Sequence, residues 1–326
     1  MLAAATTANS VATSAEASSR RYAWPVSDPA PTKEERAREK EERALVKEAR
    51  GAEKEKVKAA AAVRGDSRRL YASIGELATR HPDAEHTEDL TRHEYRVFSQ
   101  NGEDGVVAEL LRRLAGAPRH FVEFGIGPGT EGNAVFLAAV MGWAGCFIEP
   151  DPAGYADLER KYRSVGRVET LEASVTAENV EALFDRAGVP EEPGIVSIDV
   201  DGNDYWLWKA LERYRPQVVV IEYNSSLDPR RQLVQPYDPG WRNSGTDFFG
   251  ASLGALRALG ESKGYRLAHT ELAGVNAFFV RADLDAGLPD PAEVPARPPN
   301  FDLAGRSHRP DASGATYIDL ADESRR

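Results

Sequence analysis

The residues of this chain best suited to chemistry gather at the ends of two β-rich runs. The first run closes on Glu123-Phe-Gly125-Ile-Gly127-Pro-Gly129 and the second on Glu149-Pro-Asp151. Glycines at this spacing let the backbone turn sharply and approach a ligand, because no Cβ stands in the way. A helix starting near Gly132 would add the partial positive charge of its N-terminal amides. Glu149 lies about 20 residues beyond the last of these glycines, where an acid can accept hydrogen bonds from ribose hydroxyls. The pattern therefore reads as a nucleotide-type cofactor site. Gly127-x-Gly129-x-x-Gly132 also satisfies the dinucleotide-binding pattern, so the glycines alone do not name the cofactor.

Further along, acids recur after each apolar run. Glu172-Ala-Ser174 could edge an adenine ring, Asp199-Val-Asp201-Gly-Asn203-Asp204 follows a fourth run, and Glu222-Tyr223-Asn224 follows a fifth. Acids at neighbouring strand ends could equally hold Mg²⁺, which takes oxygen ligands and keeps waters; Asp199, Asp201 and Glu222, with Asn224, would suffice. Each also has a plainer reading. Asp204 suits the start of a helix, Asp201-Gly-Asn suits a turn, and Tyr205, Trp206 and Trp208 suit packing as well as a substrate wall.

These residues need elements to position them. Strands are expected near 120–124, 145–149, 167–171, 194–199, 217–222, 265–269 and 275–281, and helices near 132–142, 153–164, 177–187, 203–213 and 251–263. An amphipathic helix carrying Val106, Val107, Leu110, Leu111 and Leu114 precedes them. Such alternation predicts an α/β fold with a mostly parallel sheet covered on both faces. Val218-Val-Val-Ile221 fits a central strand, and the last two strands, joined by a short turn, fit a closing antiparallel hairpin. In a doubly wound sheet the ligand lies at the carboxyl ends of the strands, where the acids above stand. The connection 225–250 is longer than such loops usually are. With Tyr237 and Trp241 among its aromatics and several arginines, it is expected to overhang the site and recognise substrate.

Domain limits follow from composition. Residues 1–31 are small, polar and Pro-punctuated, which predicts disorder. Residues 32–94 form a Glu-, Lys-, Arg- and Ala-rich arm, helical at least in part, with a further helix near 68–80. That arm could mediate homo-oligomerisation. A Rossmann-like domain is expected over 95–281 and a Pro-rich peripheral tail over 282–326. The chain has 326 residues, 41% of them hydrophobic, and a net charge of -11. That charge argues against a nucleic-acid partner. No apolar run approaches the roughly 18 residues that span a bilayer. No signal-peptide pattern is visible, so a cytoplasmic protein without a membrane partner is expected. The single cysteine, Cys146, reads as an inert buried residue.

Five segments in order carry a resemblance: Ser99-Gln-Asn-Gly-Glu-Asp-Gly105, Val122-Glu-Phe-Gly125, Phe147-Ile-Glu-Pro-Asp151, Ser197-Ile-Asp-Val-Asp-Gly-Asn-Asp204 and Val220-Ile-Glu-Tyr-Asn224. Together they resemble the FkbM-type branch of the class I S-adenosylmethionine-dependent methyltransferases, over roughly residues 95–281. The resemblance implies a seven-stranded doubly wound sheet. It implies that Glu123 and the Gly125, Gly127 and Gly129 loop hold the methionine part of S-adenosylmethionine. Glu149 would then bind the ribose, Ser174 would lie near the adenine, Asp199 would face the methionine ammonium or the substrate, and Gln100 and Glu103 would form a lip.

The sulfonium already activates the methyl group, so the protein must align a nucleophile and, for a hydroxyl, take a proton. Candidate bases are Asp201, Asp204, Glu222 and His269. Substrate contacts are expected from Tyr205, Tyr223, Asn224, Tyr237 and Trp241, and the acceptor is expected to be a small natural-product or sugar-like molecule methylated on oxygen. Two competing readings are an NAD(P)-dependent oxidoreductase, from the glycine pattern with Glu149, and a non-catalytic cofactor-binding scaffold.

Overall fold

The computed structural model describes residues 89–323 apart from 115, 285, 286 and 302. The expected disordered N-terminus, the helix near 68–80 and nearly all of the charged arm lie outside the described residues. Only a short 3-10 helix, Leu90–His93, belongs to the arm's end.

A seven-stranded sheet organises the domain. Its strands are β1 (His120–Phe124), β2 (Ala144–Glu149), β3 (Val168–Glu172), β4 (Ile195–Ile198), β5 (Val218–Glu222), β7 (Tyr265–Thr270) and β8 (Asn276–Arg281). A two-residue strand, β6 (Leu233–Val234), lies outside it and pairs with β9 (Ile318–Asp319). The order across the main sheet is β3-β2-β1-β4-β5-β8-β7, with β8 alone running antiparallel to the other six strands. This is the expected seven-stranded Rossmann-like α/β sheet with its closing antiparallel hairpin. The chain winds outward from β1 in one direction and from β4 in the other, so the crevice between their carboxyl ends is the switch point where ligands bind.

Both faces of the sheet are buried, and the strands alternate between them. On one face Val122, Cys146, Val196 and Val219 pack under α4 (Val180–Arg186), α5 (Asp204–Ala210) and α6 (Leu253–Ser262). On the other, Phe121, Phe147, Ile195 and Val220 meet α1 (Glu103–Arg113), α2 (Val135–Ala139) and α3 (Pro152–Tyr162). Burial pushes the Cys146 thiol up to about 12, in keeping with an inert role. Trp208 of α5 anchors the first face, its ring 4.7 Å from Phe279 and 5.7 Å from Tyr265.

Helices are shorter than their sequence patterns because side chains capture the end amides. The helix expected over 132–142 is trimmed to α2: the amides of Asn133 and Ala134 donate to Glu123 at 2.7 and 2.9 Å. The helix expected over 203–213 ends at Ala210, and the amides of Glu212 and Arg213 donate to Glu181 Oε1. The hairpin turn is held the same way. Buried Glu271 accepts from the amides of Ala273, Val275 and Asn276.

The Pro-rich stretch after Arg281 does not trail away from the domain. Its end supplies β9, Arg231 pairs with Asp319 at 2.8 Å, and the Tyr317 ring lies 4.7 Å from Phe248. Prolines kept it from reading as structure, yet its register is fixed by contacts with the 225–250 connection. Among the described residues, no helix is long and apolar enough to cross a membrane.

Two outcomes follow from this packing. Trp208→Ala should cost about 3–5 kcal/mol of stability, the range for emptying a large aromatic site, read by urea unfolding. Burial pushes Glu123 and Glu271 up to about 7 against the lowering effect of their amide donors. From about pH 4.5 to 7 the native state then keeps protons that the unfolded chain has released. Their contribution is full below that window and is lost as pH rises through it, at about 1.4 kcal/mol per pH unit for one proton. Unfolding midpoints should fall between pH 5 and 7, and Glu271→Gln should flatten part of that slope; an unchanged slope would refute the assignment.

Candidate active site

Strand alternation places the key acids in one phase. Glu123 shares the phase of Phe121, Glu149 that of Phe147, and Glu222 that of Val220, while Asp199 follows Ile195 and Ser197 in step. All four therefore belong to the α1–α3 side, at the carboxyl edge of the sheet.

The glycine loop is fitted between these acids. Gly125 has φ +70° and donates to Ile148 O, and a Cβ on it would stand 2.2 Å from the Asp199 carbonyl oxygen. The next turn brings the Gly127 amide 2.5 Å from Glu149 Oε2, while the Asp151 amide donates to Oε1 at 2.8 Å. Glu149 thus ties the loops after β1 and β2 together. Glu123 occupies the amides just before α2 in the same manner. Behind the loop, the amides of Val97, Phe98 and Ser99 converge on the buried Asp104, and Gly132 N donates to Phe98 O.

At the ends of β4 and β5, Asp199, Asp204 and Glu222 each bring an oxygen within 4.8 Å of the others. Asp204 accepts the amides of Val200 and Gly202, both at 2.9 Å, which shapes the turn into α5. Burial, reinforced by the neighbouring carboxylates, raises Asp199 and Glu222 well above the usual carboxylate range. Burial likewise raises Asp204 to about 7, opposed by its amide donors. Of the acids expected to hold a metal, Asp199, Asp201 and Glu222, the structure brings Asp199 and Glu222 together and leaves Asp201 apart. Asp201 sits at φ +57°, which turns its exposed carboxylate out to Asn243 Nδ2 at 3.1 Å, and Asp204 takes its place in the cluster.

The 225–250 connection closes one wall. Trp241 Nε1 donates to Asp201 O at 3.0 Å, and the bare Gly202 makes room for it: a Cβ there would lie 2.6 Å from Nε1. Tyr237 OH donates to Glu178 at 2.6 Å and Trp206 Nε1 to Gln235 O at 2.8 Å, pinning the connection to the turn before α4 and to α5. Asn224 Nδ2 donates to Asp247 O, Phe249 O and Tyr317 OH, so it anchors the same connection to the C-terminal strap.

The cavity between these walls measures about 970 Å³. Of the expected residues, Gln100, Glu123, Gly125, Gly127, Glu149, Ser174, Asp199, Asp201 and Trp241 line it. Gly129 lies behind the loop, where its carbonyl accepts Lys161 Nζ. Glu103 also stands behind the wall, taking the Asn101 amide and Asn276 Nδ2. Asp204 and Glu222 lie beneath Asp199 in the cluster rather than on the cavity surface. Tyr205, Tyr223, Asn224 and Tyr237 are not on the wall: Tyr205 and Tyr223 pack in the core, and the other two are tethers. His269 is not placed to act as a base there, since its Nε2 lies 2.8 Å from Glu94 Oε1, both side chains almost fully buried.

Asn133, Asn243 and Asn276 are among the wall residues that drew no attention in the sequence, whereas Arg242 belongs to the connection expected to recognise substrate. Asn276 opens β8, and only its pairing with Glu222 across β5 and β8 brings it to the site. Asp104 lay within a quoted motif, but its role appears only when three backbone amides are seen to meet on it.

No family model and no curated protein matches the chain. Among solved structures it is similar to a methyltransferase from Geobacter sulfurreducens, at 15% identity over 53% of this chain and 75% of that one, TM-score 0.33. It is also similar to the N-terminal domain of EvdMO1 with SAH bound, at 16% identity over 65% and 94%, TM-score 0.38. A third is the mitomycin 7-O-methyltransferase MmcR, at 18% identity over 55% of each chain, TM-score 0.33. At such distances the chemistry of the site rests on this chain's own residues.

Proposed function

We propose that this chain is an S-adenosylmethionine-dependent methyltransferase acting on oxygen of a small-molecule acceptor. One observation carries the reading: the amides a dinucleotide site would turn toward a pyrophosphate are already taken. Gly127 donates to Glu149, and Asn133 and Ala134 donate to Glu123. A pyrophosphate would find carboxyl oxygens where it needs donors. A ligand bearing a sulfonium and an ammonium finds an acidic cavity, with Glu149, Asp151, Asp199 and Asp201 on its wall against Arg242. The nicotinamide alternative is disfavoured on the same ground.

In this reading Glu149 accepts from the ribose hydroxyls while keeping its two amide donors. Asp199 faces the ammonium, Ser174 edges the adenine, and Gln100 closes over the cofactor. Trp241 and Arg242 receive the acceptor. An acceptor oxygen attacks the methyl carbon, the carbon–sulfur bond breaks with its electron pair on sulfur, and the hydroxyl proton passes to Asp201. Alignment and desolvation supply most of the rate, since the leaving group is a neutral thioether.

Calorimetry with S-adenosylhomocysteine should show saturable binding, and fluorescence titration with NADH should show none. Glu149→Ala should weaken S-adenosylhomocysteine binding by roughly 1–3 kcal/mol, the scale for losing a charged hydrogen-bond partner. Asp201→Asn should leave that affinity in place. Saturable NADH binding without S-adenosylhomocysteine binding would overturn the proposal.

A further inference from the structure

We propose that Arg242 receives an anionic group of the acceptor, a carboxylate or a phosphate ester, so that the molecule methylated is a hydroxyl compound bearing such a group. The inference rests on the methyltransferase reading for the reaction, and on the cavity wall itself for the anion.

Three observations converge. The segment 239–243 gives Pro239, Trp241, Arg242 and Asn243 to the cavity wall, and among the described residues no other arginine, and no lysine or histidine, lines it. Arg242 pairs with no acid among the described residues, although Glu123, Glu131, Glu149, Asp151, Asp199 and Asp201 share that wall. Its Nη1 donates to the Trp241 carbonyl at 2.7 Å, which leaves the edge formed by Nε and Nη2 without a partner among the described residues. The position is also fixed from both sides. Trp241 Nε1 donates to Asp201 O, Asn243 Nδ2 donates to Asp201 Oδ1 at 3.1 Å, and Asn243 Oδ1 accepts the Gly245 amide at 2.7 Å. An exposed side chain on a loop is thus mounted on a braced stretch of backbone.

The donor geometry selects the type of ligand. Two parallel N–H groups on one edge of a guanidinium match two oxygens of a carboxylate or a phosphate. The wall's own acids are mostly engaged elsewhere: Glu123 and Glu149 take backbone amides, Asp151 takes the Gly154 amide, Glu131 pairs with Arg96 and Asp201 takes Asn243. They do not compete for Arg242. A cofactor bearing a sulfonium and an ammonium is drawn to those acids and repelled by a guanidinium, so Arg242 serves the other ligand. Asp201, which takes the hydroxyl proton, is bonded to both chain neighbours of Arg242. The anion and the reacting oxygen are therefore read by adjacent groups of one wall, and the acceptor carries the two close together.

The test uses the full chain with S-adenosylhomocysteine present, at constant ionic strength. It is titrated with inorganic phosphate, followed by phosphorus line broadening, and separately with acetate, followed by saturation transfer to the methyl protons. Saturable binding of at least one is expected, and the tighter of the two assigns the acceptor's anion as phosphate ester or carboxylate. Arg242→Gln should weaken that binding by roughly 10-fold or more, the scale for losing a charge-assisted donor. Arg242→Lys keeps the charge without the paired donors and should recover only part of it. Arg160→Gln, at an exposed arginine of α3 paired with Asp157, should keep it. Calorimetry with S-adenosylhomocysteine on Arg242→Gln separates the two ligands, since a matching loss there would assign the arginine to the cofactor's own carboxylate and overturn the proposal. Absence of saturable anion binding in the wild type, or unchanged anion affinity in Arg242→Gln, would overturn it as well. S-adenosylhomocysteine binding without anion binding would sink the anion site alone, whereas anion binding without S-adenosylhomocysteine binding would sink the methyltransferase reading alone.

Discussion

Burying a row of carboxylates along one edge of a sheet is the constraint on which the rest of this structure depends. A carboxylate removed from water needs donors or a cation, and the fold supplies each with what lies within reach. Glu123 takes the amides ahead of α2, Glu149 takes those after β1 and β2, and Asp204 takes those of its own turn. These bonds set where α2 and α5 begin and how the glycine loop curls. The same bonds remove the positive amide field that usually greets phosphate at such a loop. Local structure and ligand preference are consequences of one arrangement.

The second layer of organisation lies outside the sheet. The 225–250 connection is held by bonds from Asn203 and Trp206 on one side and by Tyr317 and β9 on the other. Its tether Asn224 stands two residues after β5, so the segment that carries Trp241 over the cavity is fixed at its root and near its far end. A long connection that would otherwise be loose becomes a wall because the C-terminal strap pairs with it. The aromatic contacts Trp241 to Phe248 and Phe248 to Tyr317 continue that support from the cavity outward.

Much of the fold was legible beforehand. Periodicity and the apolar runs located the seven strands of the sheet to within about a residue or two, since a strand buried on both faces has few other ways to read. The glycines and Glu149 marked the crevice correctly as a place. Individual roles were harder to see. Asp201 and Asp204 sit in one turn, and only the left-handed backbone at Asp201 shows which of them turns away from the cluster. His269 looked available at a strand end until Glu94, distant in sequence, was found against it. Tyr223 and Asn224 followed β5 as a ligand contact would, yet the hairpin and the strap cover both.

By itself the sequence determined the α/β class, the order of elements, the acid-bearing strand ends and their common phase, because side-chain alternation and apolar burial are local properties of a strand. The tertiary structure decided which of those acids meet, which amides they consume, and which aromatic reaches the cavity. Hydrogen bonding and charge burial are short-ranged in space and blind to separation along the chain. Glu222 became a neighbour of Asp199, Asp204 and Asn276 only when β5 was laid between β4 and β8.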